Sequence, residues 1–253
     1  MKISRPLRKI RRPIKKDYIP SLFTLLNMFL GFLAIISVVE GFYIRSAYLV
    51  MAAGIFDALD GKLARWIHVP SAFGMELDSL ADLVSFSLAP SLMIWAIFTR
   101  DLHPVLGATI AGAPLIFGAL RLARYNVDQH SKPKPYFEGL PAPVAAFVIV
   151  ALVLFYQPLE DVSAAKVVLP MVMVVSFLMV SQIRYTKTPA LSLRAGPANT
   201  IFLLVITTTL LLTFFVDGRF LLPLITLYLL IGIVRWMTRT DRAADFQSVE
   251  EEI

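Results

Sequence analysis

Four aspartates are the residues of this sequence best suited to chemistry. Asp57 and Asp60 are three residues apart, and Asp78 and Asp82 are four apart. On a helix, both spacings place the two side chains on one face. The two pairs lie at neighbouring ends of two apolar segments with a short connection between them. We therefore expect the four carboxylates to converge at one depth of a helical structure.

Four carboxylates in a partly apolar site need compensation, since each costs several kcal/mol to desolvate and like charges repel. Protonation would relieve the repulsion, and so would two divalent cations, whose charges balance those of the aspartates. A pair of metal ions about 4 Å apart is a recurrent device for phosphoryl transfer. The chain has no cysteine and three histidines, so a metal here would be held by oxygen, as magnesium, manganese and calcium are.

The residues between the aspartates fit a phosphate ligand. Gly61 lets a ligand approach the helix backbone closely, and Ala64 does so one turn later. Arg65 is able to form paired hydrogen bonds to a phosphate. Either aspartate pair alone is also compatible with ordinary polar residues at a membrane interface or with an ion relay in a transporter.

Together these residues form one spaced pattern. It reads Asp57-x2-Asp60-Gly61-x2-Ala64-Arg65-x8-Gly74-x3-Asp78-x3-Asp82. The pattern resembles, without departure, the signature of the CDP-alcohol phosphatidyltransferases. The resemblance implies an integral membrane enzyme with a six-helix catalytic core, two divalent cations (Mg²⁺ or Mn²⁺) and a homodimeric state.

The resemblance also implies roles by position. All four aspartates of the pattern become metal ligands, and Asp82 is in addition the general base for the acceptor hydroxyl. The residues implied to bind the cytidine diphosphate portion are Asp57, Gly61, Ala64, Arg65, Gly74 and Asp78.

Three other segments bear on the acceptor alcohol. They cover residues 19–27, 121–126 and 137–143. All three resemble segments of the membrane-embedded phosphatidylserine synthases, which usually have Pro-Asn where this chain has Pro20-Ser21 and often have Phe at the position of Tyr125. The resemblance implies CDP-diacylglycerol and L-serine as substrates, with phosphatidylserine and CMP as products.

Arg121 and Arg124 are three residues apart at a helix end, at the expected depth of the aspartates. With Asn126 they are candidates to bind the serine carboxylate or the phosphates of the lipid. The alternative is that the two arginines only set the topology of the chain or pair with phosphates of the surrounding membrane. Asn126 and Glu138 are also candidates to contact the serine ammonium.

The composition requires a membrane. Of 253 residues, 57% are hydrophobic and 17% are charged, whereas a soluble domain carries about 25% charged residues. A spanning helix needs about 20 apolar residues. The sequence therefore predicts an all-α, polytopic bundle of about eight transmembrane helices. The apolar segments are 22–39, 43–60, 79–98, 103–120, 140–157, 164–183, 198–216 and 219–237.

Basic residues predict the orientation of the bundle. With the N-terminus in the cytoplasm, 20 of the 24 Lys and Arg residues fall on the cytoplasmic side, as the positive-inside rule requires. The active site would then also face the cytoplasm, and we expect a bacterial inner membrane. The basic arm within residues 1–18 would contact anionic membrane lipids, and no nucleic-acid partner is expected.

The predicted organisation has four parts. They are a basic arm (1–18), a catalytic core (19–184), additional transmembrane helices (185–238) and a cytoplasmic tail (239–253). Two alternatives to serine transfer stay open. One is a sister enzyme that uses glycerol 3-phosphate, inositol phosphate or choline. The other is an ion-coupled transporter, which is disfavoured because the chain shows no internal repeat and the aspartates lie at span ends.

Overall fold

A computed structural model describes residues 18–67, 72–128, 136–157, 163–186, 197–215 and 218–237. Within these residues the chain forms eight helices and one pair of short strands, in the order predicted by the eight apolar segments. The helices are α1 (Tyr18–Val39), α2 (Tyr43–Ile67), α3 (beginning at Ala72 and ending at Thr99), α4 (Pro104–Asp128), α5 (Ala142–Tyr156), α6 (Ala164–Val180), α7 (Pro197–Phe215) and α8 (Leu221–Met237). Residues 1–17 of the basic arm and the tail 239–253 lie outside the described residues.

Three of the described helices are long and apolar enough to cross a membrane by length and composition. They cover Ser21–Val39 in α1, Phe73–Thr99 in α3 and Pro104–Val127 in α4. Shorter apolar helices accompany them, among them α5 and α6. Only helices satisfy their own backbone hydrogen bonds inside lipid. The chain is accordingly an integral membrane helical bundle, as the sequence predicted.

The ends of three helices extend well beyond the sequence prediction, among them α4, which continues to Asp128 although its segment was predicted to end at 120. The apolar segment predicted to end at residue 60 continues as helix to Ile67, and the next helix begins at Ala72, although its predicted span began at 79. Hydropathy marks where apolar residues stop, whereas a helix continues as long as its residues favour helix and its hydrogen bonds are made. The aspartates therefore lie inside α2 and α3, some turns away from the connection between them.

A tight turn sets α2 antiparallel to α1. Gly41 adopts a φ of 83°, a left-handed conformation that suits glycine after a helix C-terminus. The Gly41 N–H donates to Val38 O at 3.0 Å, and the Phe42 N–H donates to Ser37 O at 2.8 Å. The buried Ser46 hydroxyl then donates to Ala34 O at 2.8 Å, which joins the two helices directly.

Helix α3 contains two π-helical segments, Leu83–Leu88 and Trp95–Thr99. The first begins directly after Asp82. In it the Ala89 N–H donates to Val84 O, five residues back. Pro90 follows at once and has no N–H to donate, so the preceding turn cannot complete the ordinary α-helical ladder. Short π-helical turns are frequent at functional sites, and this one adjoins a predicted catalytic residue.

Helix α5 lies at the centre of the bundle. Ten of its residues are buried, and it contacts α2, α3, α6 and α8. A helix that is apolar on every side belongs in an interior, and Val148, Ile149 and Leu152 are among the largest fully buried side chains. Helix α5 therefore supports both α2 and α3, the helices that carry the aspartates.

A small strand pair connects two distant parts of the chain. Strand β1 (Tyr136–Glu138) pairs antiparallel with β2 (Arg184–Thr186). Beyond β1, Gly139 has a φ of 75°, and its N–H donates to Ile183 O at 2.9 Å. A Cβ at Gly139 would overlap Met179 O. No sequence pattern predicted this pairing, which brings the segment before α5 against the end of α6.

Candidate metal centre

Helices α2 and α3 bring three aspartates to one point. One carboxylate oxygen from each of Asp57, Asp60 and Asp78 lies within 4.8 Å of the other two. Asp82, one turn further along α3, adjoins this cluster, and its carboxylate interacts electrostatically with all three of the others. The structure thus brings together the four carboxylates whose convergence the spacing predicted.

The surroundings of the cluster fit a cation. Asp60 is 5% exposed, and one buried carboxylate oxygen on each of Asp60, Asp78 and Asp82 has no hydrogen-bond partner among the described residues. Buried, unpaired carboxylate oxygens that face one another are costly without a positive charge between them. Oxygen atoms of this kind are the ligands that Mg²⁺ and Mn²⁺ prefer. These residues are therefore suited to hold a divalent metal ion.

Helix α1 makes hydrogen bonds to both helices that carry the aspartates. The buried Thr24 hydroxyl hydrogen-bonds to the Asp60 side chain. Asn27 lies one turn after Thr24 on α1, and its carbonyl oxygen accepts a hydrogen bond of 2.9 Å from the buried Ser85 hydroxyl of α3. Helix α1 thus contacts both helices that carry aspartates. The Asn27 side chain itself is fully buried, and its amide atoms have no partner within the described part of the chain.

Helix α4 contributes a buried cation. Arg121 lies close enough to Asp82 for the two charges to interact, and burial surrounds much of its side chain. Its Nε is buried and lacks a hydrogen-bond partner among the residues described. An arginine with an unpaired N–H next to a carboxylate cluster is placed to bind a phosphate or carboxylate of a ligand.

Asn126 lies on the same helix and contacts α3 directly. The Ser79 hydroxyl donates to Asn126 Oδ1 at 3.1 Å, and Asn126 Nδ2 donates to Glu76 Oε2 at 3.3 Å. Ser79 follows Asp78 in sequence, and Glu76 precedes it by two residues. The amide of Asn126 therefore fixes the part of α3 that carries Asp78.

The other residues of the pattern lie on α2 and α3. A Cβ at Gly61 would meet nothing within 4 Å, so the face of α2 beside Asp60 has the open space that a ligand needs. Ala64 and Arg65 lie one turn later in α2, and their side chains are outside the described residues. Gly74 lies near the start of α3.

Arg124, one turn after Arg121 on α4, contacts the end of α6. It donates from Nη1 to Val180 O, at the end of α6, at 3.2 Å. Beside it is a cavity of about 440 Å³ lined by Arg124, Glu138, Val180 and Gln182. Arg121 and Arg124 were predicted to act as one group, but they lie in two different environments.

Sequence reasoning missed several of these residues. Thr24 precedes Asn27 by three residues, and two polar residues at helical spacing on an apolar helix were a signal that this face points into the bundle. Ser79 and Glu76 carried no distinct signal, because polar residues are ordinary near a helix start. Gln182 also had no distinct sequence signal, because its position beside Arg124 depends on the pairing of β1 with β2.

Comparison with known proteins bears on the family. A profile of the CDP-alcohol phosphatidyltransferase family matches residues 17–180. The chain is similar to the CDP-diacylglycerol–serine O-phosphatidyltransferase of Helicobacter pylori (strain 26695), with 35% identity over 235 residues, which cover 89% of this chain and 94% of the relative.

Two further relatives carry the same name. The Bacillus subtilis protein is 36% identical over 188 residues, covering 72% of this chain and 99% of the relative. The Methanocaldococcus jannaschii protein is 32% identical over 224 residues, covering 87% and 93%. The matched residues include both helices of the carboxylate cluster and most of the bundle around it. With that cluster and the spaced aspartate pattern in place, the chain belongs to the CDP-alcohol phosphatidyltransferase family.

Proposed function

We propose that the chain transfers the phosphatidyl group of CDP-diacylglycerol to the hydroxyl of L-serine, giving phosphatidylserine and CMP. The observation that carries this proposal is the cluster of Asp57, Asp60 and Asp78, whose oxygens lie within 4.8 Å of one another. Such a cluster suits a diphosphate substrate bound with metal ions. Relatives that cover most of the chain and carry the serine transferase name support the choice of acceptor.

The aspartates have distinct roles in this proposal. Asp57, Asp60, Asp78 and Asp82 hold two divalent cations, Mg²⁺ or Mn²⁺, which when bound neutralise negative charge on the diphosphate. Asp82 also takes the proton from the serine hydroxyl. The serine oxygen forms a bond to the phosphorus that carries diacylglycerol, while the phosphoanhydride bond to CMP breaks. The proton thus stays on Asp82 until water removes it, and CMP leaves.

The neighbouring residues bind and orient the nucleotide. Gly61 offers open space beside Asp60, which allows the cytidine diphosphate to lie against the backbone of α2. Ala64 and Arg65 extend this wall, and Gly74 continues it on α3. Arg121 lies beside Asp82, where its guanidinium is suited to hydrogen-bond a phosphate oxygen.

The wider organisation is part of the same proposal. Residues 19–184 form the catalytic core, residues 185–238 add helices to it, and the chain assembles as a homodimer. The excess of Lys and Arg in the segments between spans supports a cytoplasmic N-terminus and active site. The proposed location is the inner membrane of a bacterium.

The test is CMP release by purified protein in detergent with CDP-diacylglycerol. We expect release to require both L-serine and Mg²⁺ or Mn²⁺, and Asp57→Asn to abolish it. Asp101→Asn is the matched control, because Asp101 is exposed and lies in the turn before α4, at the opposite end of that helix from Arg121, which interacts with Asp82. Release with glycerol 3-phosphate, inositol phosphate or choline instead of serine would identify a sister transferase. No release with any acceptor by folded, metal-loaded protein would refute the proposal and leave the transporter alternative.

A further inference from the structure

The cavity beside Arg124 is formed by three separate parts of the chain. Arg124 comes from the last turns of α4, and Glu138 from the end of β1. Val180 is the last residue of α6, and Gln182 lies in the connection from α6 to β2. The strand pair holds the second and third parts together, since Glu138 pairs with Arg184 in the sheet register. Its lining is therefore built by tertiary structure, and no local sequence pattern predicts it.

The lining combines one cation, one anion and one amide. Arg124 gives one N–H to Val180 O, and a guanidinium has five donors in a fork that fits a carboxylate. A carboxylate such as that of Glu138 has about four acceptor positions, so the contact it already makes within the protein does not exhaust it. Gln182 is exposed at the cavity wall and offers both a donor and an acceptor.

We propose that this cavity binds the amino-acid end of L-serine, with the α-carboxylate at Arg124 and the α-ammonium at Glu138. The inference rests on the proposed function and specifies which residues select its acceptor. Gln182 supplies a further hydrogen bond to the carboxylate. The cavity of about 440 Å³ is large enough for one serine together with several water molecules.

Its position on α4 suits this role. Arg121, one helical turn before Arg124, is beside Asp82, and Asn126, two residues after it, bonds to Ser79 and Glu76 of α3. Successive turns of α4 thus run alongside the part of α3 that carries the proposed base. One helical turn rises about 5.4 Å, which is comparable to the length of a serine molecule. A serine held at Arg124 can therefore direct its hydroxyl toward the Asp82 side of α4.

The charges of the lining also exclude the rival acceptors. A phosphate monoester carries about −1.5 to −2 charges near pH 7, so Glu138 would repel glycerol 3-phosphate and inositol phosphate. Choline has no carboxylate and would leave the remaining N–H groups of Arg124, beyond the one given to Val180 O, without an acceptor. A zwitterion satisfies both charged groups at once, which selects an amino acid over the acceptors of the sister enzymes.

The test uses the purified full chain, CDP-diacylglycerol, and two truncated acceptors. 3-Hydroxypropanoate lacks the ammonium of serine, and ethanolamine lacks the carboxylate. We expect Glu138→Gln to raise the KM for serine about 10- to 100-fold, the range for a hydrogen bond to a charged group. The KM for CDP-diacylglycerol and the kcat should change little. Glu40→Gln is the control, because Glu40 is exposed, lies near Arg45 in the turn between α1 and α2, and does not line the cavity.

The ratio of kcat/KM for serine to that for each truncated acceptor is the decisive readout. It does not depend on how much of a variant is folded, because both acceptors are measured on the same protein. Glu138→Gln should lower the preference for serine over 3-hydroxypropanoate and leave the preference over ethanolamine. Arg124→Gln should do the reverse, and Arg124→Lys should restore part of the loss.

Two negative outcomes are distinguishable. If wild-type protein releases CMP with serine but both preferences stay within about twofold of wild type in the variants, the cavity is not the serine site and the proposed function stands. The twofold limit corresponds to less than about 0.5 kcal/mol, well below the loss expected for a charged hydrogen bond. If wild-type protein shows no serine-dependent release, both the proposed function and this inference are wrong.

Discussion

Gly31 of α1 lies close to Ser85 of α3, three residues after Asp82, and we expect Gly31→Ala to force the two helices apart. A Cβ at Gly31 would overlap the Ser85 hydroxyl and lie 2.8 Å from Ser85 Cα. Ordinary contacts between carbon atoms are about 3.5–4.0 Å. Because the Ser85 Cα belongs to the backbone and cannot rotate away as a side chain can, α1 and α3 must separate by roughly 0.7 Å or more.

The energetic cost follows from three contributions. Overpacking costs about 1–3 kcal/mol, and loss of the hydrogen bond from Ser85 to Asn27 O costs about 1 kcal/mol more. Alanine offsets about 1 kcal/mol because it favours helix more than glycine does. We therefore expect the free energy of unfolding to fall by about 1–3 kcal/mol and the Tm in detergent to fall by roughly 3–9 °C.

Activity should fall more than stability. Helix α3 carries Asp78 and Asp82, so a separation of α1 from α3 moves these carboxylates relative to those of α2. Displacements of about 1 Å can cost about 100-fold in rate. We expect serine-dependent CMP release to decrease about 10- to 100-fold in Gly31→Ala. Gly112→Ala is the control, since a Cβ at Gly112 meets nothing within 4 Å.

A second substitution separates backbone overlap from side-chain overlap. Ser85→Ala should not rescue Gly31→Ala, because the contact with Ser85 Cα remains. At Gly118 all of the nearest atoms belong to side chains, namely the Ser87 hydroxyl, Ser87 Cβ and Met179 Cε, so Ser87→Ala should partly rescue Gly118→Ala. The reasoning is refuted if Gly31→Ala behaves like Gly112→Ala, or if Ser85→Ala restores it fully.

Three other predictions concern the carboxylate cluster. Mg²⁺ or Mn²⁺ at about 100 times its Kd should stabilise wild-type protein by about 2.7 kcal/mol, seen as a higher Tm, and Asp57→Asn should lose this shift. Asp78→Asn should reduce CMP release by more than about 100-fold, because substitution even of residues that only hydrogen-bond to metal ligands costs about 10- to 100-fold. Asp101→Asn should leave CMP release unchanged. Asn126→Leu removes two hydrogen bonds to α3 and should raise the metal concentration needed for half-maximal CMP release about 10-fold; an unchanged metal requirement would contradict this role.

The carboxylate cluster was predictable because its geometry is local. Spacings of three and four residues place side chains on one face of a helix whatever the helix packs against. When two such pairs lie at the adjoining ends of neighbouring helices, their carboxylates come close together in most arrangements of the two helices. The eight helices were predictable for a similar reason, since each apolar segment must satisfy its own backbone in lipid.

The remaining features depend on contacts between distant residues. The ends of α2 and α3 were misplaced because the segment after Asp60 is polar but still favours helix. The pairing of β1 with β2 involves three residues on each side, too few for a periodic signal. Arg121 and Arg124 share one helix end, and only the packing of α3 and α6 around α4 separates them into two environments.

The central position of α5 has a consequence for how the protein is made. During insertion, α1 to α4 precede α5 in the chain, but α6 and α8, which also cover it, do not yet exist. Lipid chains must occupy that side of α5 until the later helices arrive. Exchanging lipid for an apolar helix brings no hydrophobic gain, so the exchange depends on close fit. Just before α8, for example, a Cβ at Gly218 would come within 3.1 Å of the Leu154 side chain of α5. Helices α6 and α8, which carry none of the proposed metal ligands, thereby decide whether nascent chains close into a finished bundle.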